Sequence, residues 1–136
     1  MVWTYEIATG WLSKDGARLA KGYSGAPSAV NDPTKVDLKG EGPLPPGFYT
    51  MDSPIDSSEH GPEAIPLVPD VNNNMYERSG FMCHGDNIHV PGTASEGCII
   101  MPRYARDQLV QGLATDNRLQ VIAYAPINES DWWETH

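Results

Sequence analysis

His84 and Cys98, fourteen positions apart, carry the strongest chemical signal in this sequence. Both lie in the segment 83–101, which contains every strong candidate for a nucleophile and for its base. A cysteine attacks as the thiolate, and an imidazole within hydrogen-bond reach can accept the thiol proton and lower the thiol pKa. The pair therefore predicts a cysteine nucleophile, Cys98, activated by His84.

Small residues flank both members of this pair. Gly85 follows the histidine and Gly97 precedes the cysteine, so a substrate carbonyl can approach and amide N–H groups near Cys98 can act as oxyanion donors. Ser95 lies two residues before Gly97, where it either supports the site directly or only stabilises the turn. The arrangement is typical of acyl transfer, which requires no cofactor and no metal.

Two alternative interpretations use the same residues. Cys83 and Cys98 could form a disulfide, or these cysteines could bind zinc together with His84 and His89. Cys83 and His84 are adjacent on a predicted strand, so their side chains point to opposite faces of the sheet. A strand that turns His84 toward Cys98 therefore turns Cys83 away from it, which disfavours both alternatives and predicts Cys83 in the core.

The elements around these residues are predicted to be mostly β-strands. Apolar and polar residues alternate between turn residues over 2–23, which predicts a meander of three short strands. A strand over 79–84 delivers His84 at its end, and Pro102 begins a helix over about 102–112. Further predicted segments are a surface loop over 24–42, a short apolar segment over 64–68, and strands from about Gly47 and over 118–123.

Length and charge limit the organisation and the partners of the chain. Its 136 residues are the size of one domain, predicted over 1–125 and followed by a tail over 126–136. The formal net charge of −9 disfavours nucleic acid and anionic membranes as partners, and no apolar run approaches the roughly 18 residues of a membrane span. The Trp132-Trp133 pair suggests that the tail docks on the domain or on a partner.

The wider pattern resembles the L,D-transpeptidase catalytic-domain family. His84-Gly85, a loop of about a dozen residues and Ser95-Glu96-Gly97-Cys98 resemble the signature of that family. The segments 23–25, 42–49 and 78–81 are similar to its short branch of type VI secretion effectors. The resemblance covers about residues 2–123 and implies a mostly β, L,D-transpeptidase-like sandwich or barrel with one or two short helices.

The resemblance also implies a reaction and a place of action. Members attack the L-to-D bond of the peptidoglycan tetrapeptide stem at diaminopimelate, form an acyl-enzyme, and pass the acyl group to an amine, a D-amino acid or water. Because the N-terminal sequence shows no conventional export signal, the protein is expected to be made in the cytoplasm. Delivery by a secretion system or cell lysis would then bring it to the periplasm, with a cognate immunity protein as a partner.

By position, the resemblance makes Cys98 the nucleophile and His84 its base, with a backbone carbonyl that orients the other ring nitrogen. Glu96 stands where typical members have a second histidine, and Ile100 stands where they have an arginine. Arg78 or Arg103 could supply the missing cation. Gly85, Asp86 and Tyr23 are candidates for further substrate contacts.

These departures keep other functions open. A non-enzymatic module with the same fold would bind cell-wall peptides or a partner protein, and a phage lysis protein is a further alternative. For Asp86 and Tyr23 a structural use competes with substrate contact, because Asp86 can cap its loop and Tyr23 can fill the core. A reactive thiol would favour the enzyme over the binding module.

Overall fold

Hydrogen bonds join ten strands into one mixed sheet in the computed structural model, which describes residues 2–125. The strands are β1 (Val2–Glu6), β2 (Trp11–Lys14), β3 (Ala17–Lys21), β4 (Tyr23–Ser24), β5 (Gly47–Met51), β6 (Ile55–Ser57), β7 (Gly61–Pro69), β8 (Met82–His84), β9 (Ile99–Ile100) and β10 (Arg118–Ile122). Their order is β3-β2-β1-β10-β5-β7-β8-β9-β4, and β6 pairs with β7 outside this path. The mostly β fold class is therefore confirmed.

The predicted meander forms β1, β2 and β3. Asp15 and Gly16 connect β2 to β3 with φ angles of 53° and 82°, the left-handed conformation that a tight two-residue hairpin turn requires. On β1, Trp3 and Tyr5 are buried in the core, whereas Val2 is exposed, as the alternation predicts. The last strand, β10, returns to the middle of the sheet and pairs in parallel with β1.

The predicted helix is present as α1, Arg103–Gln111. Pro102 is its N-cap, because a proline lacks the N–H group that would be unsatisfied at this end in any case. Ala105 and Leu109, four residues apart, are buried against the core. A 3₁₀ helix, Pro33–Lys35, interrupts the loop over 24–42.

One predicted boundary was wrong, and the short strands β6 and β9 were not predicted. The strand before His84 begins at Met82 and not at Ser79, because left-handed backbone at Gly80 ends regular pairing there. The apolar segment over 64–68 lies within β7. β6 is short and largely exposed, so it lacks the apolar alternation that marks the other strands.

The tail over 126–136, with its Trp132-Trp133 pair, lies outside the described residues, so its docking stays a prediction. Within residues 2–125, no helix has the length and the apolar character needed to cross a membrane.

We expect Tyr49→Phe to lower the free energy of unfolding by about 1 kcal/mol. Tyr49 is fully buried on β5, and its hydroxyl donates a 2.6 Å hydrogen bond to the carbonyl of Pro45. The substitution leaves that carbonyl without its donor. Urea denaturation measures the change, with Tyr104→Phe as a control because Tyr104 is exposed. Equal stability of the two variants would contradict the prediction.

Candidate active site

His84 ends β8, and Cys98 lies just before the neighbouring strand β9. These strands pair in parallel, with Cys83 opposite Ile99 and His84 opposite Ile100. Cys98 immediately precedes β9, and the backbone N–H of Met82 donates to its sulfur at 3.4 Å. The predicted pair therefore lies on neighbouring strands, two positions apart in register.

The two faces of this strand pair have different roles. Cys83 and Ile99 belong to the hydrophobic core, and both cysteines are free thiols. Cys98 is one residue before β9, so alternation from Ile99 assigns its side chain to the opposite face, the face of His84. This face is turned toward two surface clefts, although His84 is only 2% exposed and Cys98 only 9%.

The ring of His84 is oriented by a backbone carbonyl. Its Nδ1 lies 2.8 Å from the carbonyl oxygen of Gly85, which can only accept, so Nδ1 carries the proton of the neutral ring. Nε2 is then the basic nitrogen. It is buried and makes no hydrogen bond within the described part of the chain, and so none to the sulfur of Cys98.

A second histidine covers the first. His60 lies in the turn between β6 and β7, and its ring centroid is 4.5 Å from that of His84, with the rings tilted by 31°. His60 lies 24 residues before His84, outside the motif that points to His84 and Cys98. Only the pairing of β7 with β8 brings the two rings together.

Two clefts flank this histidine pair. The histidine cleft, about 1000 Å³, is lined by His84, Tyr23, Gly85, Asp86, Arg103 and Arg106, among others. The cysteine cleft, about 590 Å³, is lined by Cys98, Arg78, Phe81 and Glu96, among others. Glu59, His60 and Ala94 line both clefts and form the boundary between them. Four of the five predicted substrate contacts thus lie on the His84 side, and Arg78 lies on the Cys98 side.

Burial keeps both proposed reacting groups neutral in the free protein. It raises the pKa of the Cys98 thiol above its ordinary value, and the Glu96 carboxylate acts in the same direction. The Met82 N–H and the Arg78 charge lower that pKa, but they do not outweigh burial. Burial also lowers the pKa of His84. The structure therefore favours thiol and imidazole over the thiolate that the sequence led us to expect.

Arg78 is held by backbone carbonyls. Its Nη1 and Nη2 atoms donate to four carbonyl oxygens at 2.6 to 3.0 Å, and its guanidinium packs on the ring of Phe81. These carbonyls belong to Val36, Gly42, Pro43 and Glu96. Arg78 thus joins the loop over 24–42 to the segment before Cys98, and both of its terminal nitrogens already have partners.

Gly97 is confined by the same arginine. It has φ of 135°, and a Cβ there would lie 2.5 Å from the Phe81 ring and 2.6 Å from Arg78 Nη2. Its N–H donates to the hydroxyl of Ser95 at 3.1 Å. An oxyanion role for this N–H stays a prediction, and it requires that the group leave Ser95.

Ser95 fixes the backbone around Cys98. Its buried hydroxyl donates to the carbonyl of Cys98 at 2.6 Å and accepts from the N–H groups of Gly25 and Gly97. Ser24 adds a second link, because its hydroxyl donates to the carbonyl of Gly97 at 2.9 Å. The serine of the motif thus supports the turn and makes no contact with His84.

The remaining predicted contacts have protein partners. The Tyr23 hydroxyl donates to Asp86 at 2.6 Å, and burial together with this carboxylate raises the pKa of Tyr23 to about 12. Asp86 also accepts from the N–H groups of Asn87 and Gly92, so it caps its own loop. Arg103 pairs with Glu63 at 3.0 Å and with Asp107 at 3.3 Å.

Within residues 2–125, no group of three or more histidine, cysteine, aspartate or glutamate side chains is arranged to hold a metal ion. Cys83 faces the core, away from His84 and Cys98.

The chain is similar to a known domain family and to solved protein structures. Residues 18–124 match the sequence profile of the Tlde1 domain. Two solved structures are similar at 17% sequence identity. The L,D-transpeptidase (Yku) from Stackebrandtia nassauensis has a TM-score of 0.52 over 92% of this chain and 56% of that chain. L,D-transpeptidase 1 from Mycobacterium tuberculosis has a TM-score of 0.47 over 90% of this chain and 60% of that chain.

The likeness to the Stackebrandtia structure shows a shared fold, as the sequence resemblance implied. The chain spans little more than half the length of these two proteins. No curated protein sequence matches the chain significantly.

Ser95→Ala should lower the free energy of unfolding by about 2 kcal/mol, because it leaves buried N–H groups of Gly25 and Gly97 without their acceptor. Urea denaturation measures the loss. Ser53→Ala is the matched control, since Ser53 is exposed. A change below roughly 0.5 kcal/mol in the Ser95 variant would show that the hydroxyl is dispensable.

The alkylation rate of Cys98 by iodoacetamide should be low at neutral pH and should rise above pH 9.0, the ordinary thiol pKa, because only the thiolate reacts and burial raises the pKa of this thiol. Glu96→Gln removes a carboxylate that raises the pKa, so its rate profile should shift to lower pH. Mass spectrometry measures the rates, with Asp15→Asn as a control at an exposed carboxylate far along the sheet. A plateau already reached below pH 8 would mean that the thiol is activated in the free protein, contrary to this expectation.

Proposed function

Because the chain belongs to the Tlde1 domain family, the L,D-transpeptidase-like domain of type VI effectors, we propose that it is a cysteine-dependent L,D-transpeptidase or L,D-carboxypeptidase. Its substrates would be the tetrapeptide stems of peptidoglycan. One observation carries the proposal. His84 ends β8, and Cys98 directly precedes β9, the parallel neighbour of β8. The Gly85 carbonyl accepts from Nδ1 of His84, so the basic Nε2 is the nitrogen without a partner.

The neutral pair defines the first chemical step. The Cys98 sulfur attacks the carbonyl carbon of the bond between diaminopimelate and the terminal D-amino acid, while His84 Nε2 accepts the thiol proton. Amide N–H groups near Cys98 stabilise the oxyanion. When the tetrahedral intermediate collapses, the C–N bond breaks and His84 returns the proton to the departing amine. A thioester on Cys98 remains.

An acceptor then resolves the thioester. Water or an amine attacks the acyl carbon, His84 removes a proton from the acceptor, and the C–S bond breaks to restore the thiol. Water as acceptor gives the carboxypeptidase reaction, and an amine, including that of a D-amino acid, gives transpeptidation.

The reactive arrangement requires movement from the free structure. Nε2 of His84 and the sulfur of Cys98 are not hydrogen-bonded, and His60 packs on the His84 ring at the boundary of the two clefts. Catalytic hydrogen bonds often shorten only when substrate is bound. We expect a stem peptide that enters both clefts to displace the turn carrying His60 and to bring the two groups within about 3.5 Å.

A binding module is the second candidate. The raised pKa of Cys98 and its lack of a hydrogen bond with His84 favour this candidate, because neither activates the thiol in the free protein. Such a module would bind stem peptides in the same clefts without forming product. As an effector, either form would be delivered to the periplasm of another cell and would require a cognate immunity protein in the producer.

Cys98→Ala should reduce product formation from purified tetrapeptide muropeptides by at least about 10³-fold, because it removes the nucleophile. Mass spectrometry of the muropeptides measures the products, with and without added D-amino acid. Cys83→Ala is the matched control, because Cys83 faces the core and its side chain is not on the site face. It should retain most of the activity.

Equal activity of the two cysteine variants would exclude Cys98 as the nucleophile. Binding of stem peptides by the unsubstituted protein without any product would favour the binding module. Circular dichroism of both variants confirms that each is folded.

A further inference from the structure

Arg106 is a buried cation with one free end. It lies on α1, is 7% exposed, and was not singled out in the sequence. Its Nε donates to the carbonyl of Met101 at 3.2 Å, and Nη1 donates to the carbonyls of Pro62 and Glu63. Nη2 makes no hydrogen bond with any of residues 2–125. Two of its three nitrogens are thus fixed, and the third is available.

This free nitrogen lies beside the proposed base. A Cβ built on Gly85 would be 2.9 Å from Nη2, so Nη2 lies against the backbone of the residue next to His84. Arg106 and Gly85 both line the histidine cleft, whereas the sulfur lies on the cysteine cleft. Burial, His60 and the charge of Arg106 all lower the pKa of His84. The two groups are therefore close enough to interact electrostatically.

The other charged groups of the histidine cleft mostly have partners. Arg103 is paired with Glu63 and Asp107, and Asp86 accepts from Tyr23 and from its own loop. Arg106 as a whole is 7% exposed and lines the cleft, so a carboxylate there would meet a partly desolvated cation. The N-terminal turn of α1 lines the same cleft and has no side-chain cap, which favours an anion at that end.

We propose that Arg106 binds the carboxylate of the departing D-amino acid and so restricts the enzyme to stems that end in a free carboxylate. The inference rests on the proposed function. His84 returns a proton to the departing amine, so that amine lies on the His84 side of the bond. The carboxylate of an α-amino acid is two bonds from its nitrogen, which brings it toward Nη2. Arg106 is thereby a specificity-determining residue, and the acyl half of the stem lies along the cysteine cleft.

The test compares two synthetic tetrapeptides, one with a free C-terminal carboxylate and one with a C-terminal amide. The unsubstituted protein should prefer the acid by at least about tenfold in kcat/KM. Arg106→Lys should weaken this preference, and Arg106→Met should reduce it to less than about twofold. Arg118→Lys is the matched control. Arg118 pairs with Asp70 and lies on β10, which β5 and β7 separate from β8, so this variant should leave the preference unchanged.

A second variant tests the position of the guanidinium without removing Arg106. Gly85→Ala puts a methyl group 2.9 Å from Nη2 and should displace the guanidinium. It should lower the preference for the acid, and circular dichroism checks that the variant is folded.

Binding by Cys98→Ala protein separates this inference from the proposed function. Isothermal titration should show tighter binding of the acid than of the amide. If the unsubstituted protein forms no product but this preference in binding holds, the proposed reaction fails and the carboxylate site stands. If the acid and the amide are processed equally or bound equally, the assignment of Arg106 is overturned. The same holds if neither peptide binds. These outcomes do not depend on whether Cys98 is the nucleophile.

Discussion

The parallel pairing of β8 with β9 is the constraint on which the site depends. Its register places Cys83 opposite Ile99 in the core and leaves His84 and Cys98 together on the other face. A slip of one residue in either strand would exchange the faces and bury the wrong thiol. Arg78 and Ser95 reinforce the register, because they bind the backbone carbonyls of Glu96 and Cys98 on the side where β9 begins.

Hydrogen-bond partners are distributed unevenly around the site. Behind Cys98, the hydroxyls of Ser24 and Ser95 and both terminal nitrogens of Arg78 are engaged with backbone groups, which makes this wall rigid. On the cleft side, Nε2 of His84 and Nη2 of Arg106 lack partners within residues 2–125. These two nitrogens can therefore bind a substrate without giving up a protein partner, which favours the cleft side as the place of the chemistry.

Burial dominates the electrostatics of the proposed dyad. It raises the pKa of Cys98 and lowers that of His84, and both shifts favour the neutral forms. Glu96 adds a negative charge near the sulfur. A base that takes the proton during attack therefore fits this site better than a stable thiolate–imidazolium pair.

The sequence by itself determined the mostly β class, the meander, α1 and the family, because these follow from local alternation, turn residues and one contiguous motif. It also singled out His84 and Cys98, whose residue types and spacing carry chemical information. Only the tertiary structure brought His60 over His84 and placed Arg106 beside Gly85, through contacts between strands and a helix that are distant in the chain. Neither residue lies in a motif, and burial, which reverses the expected thiol pKa, is a property of the packed protein and not of any short segment.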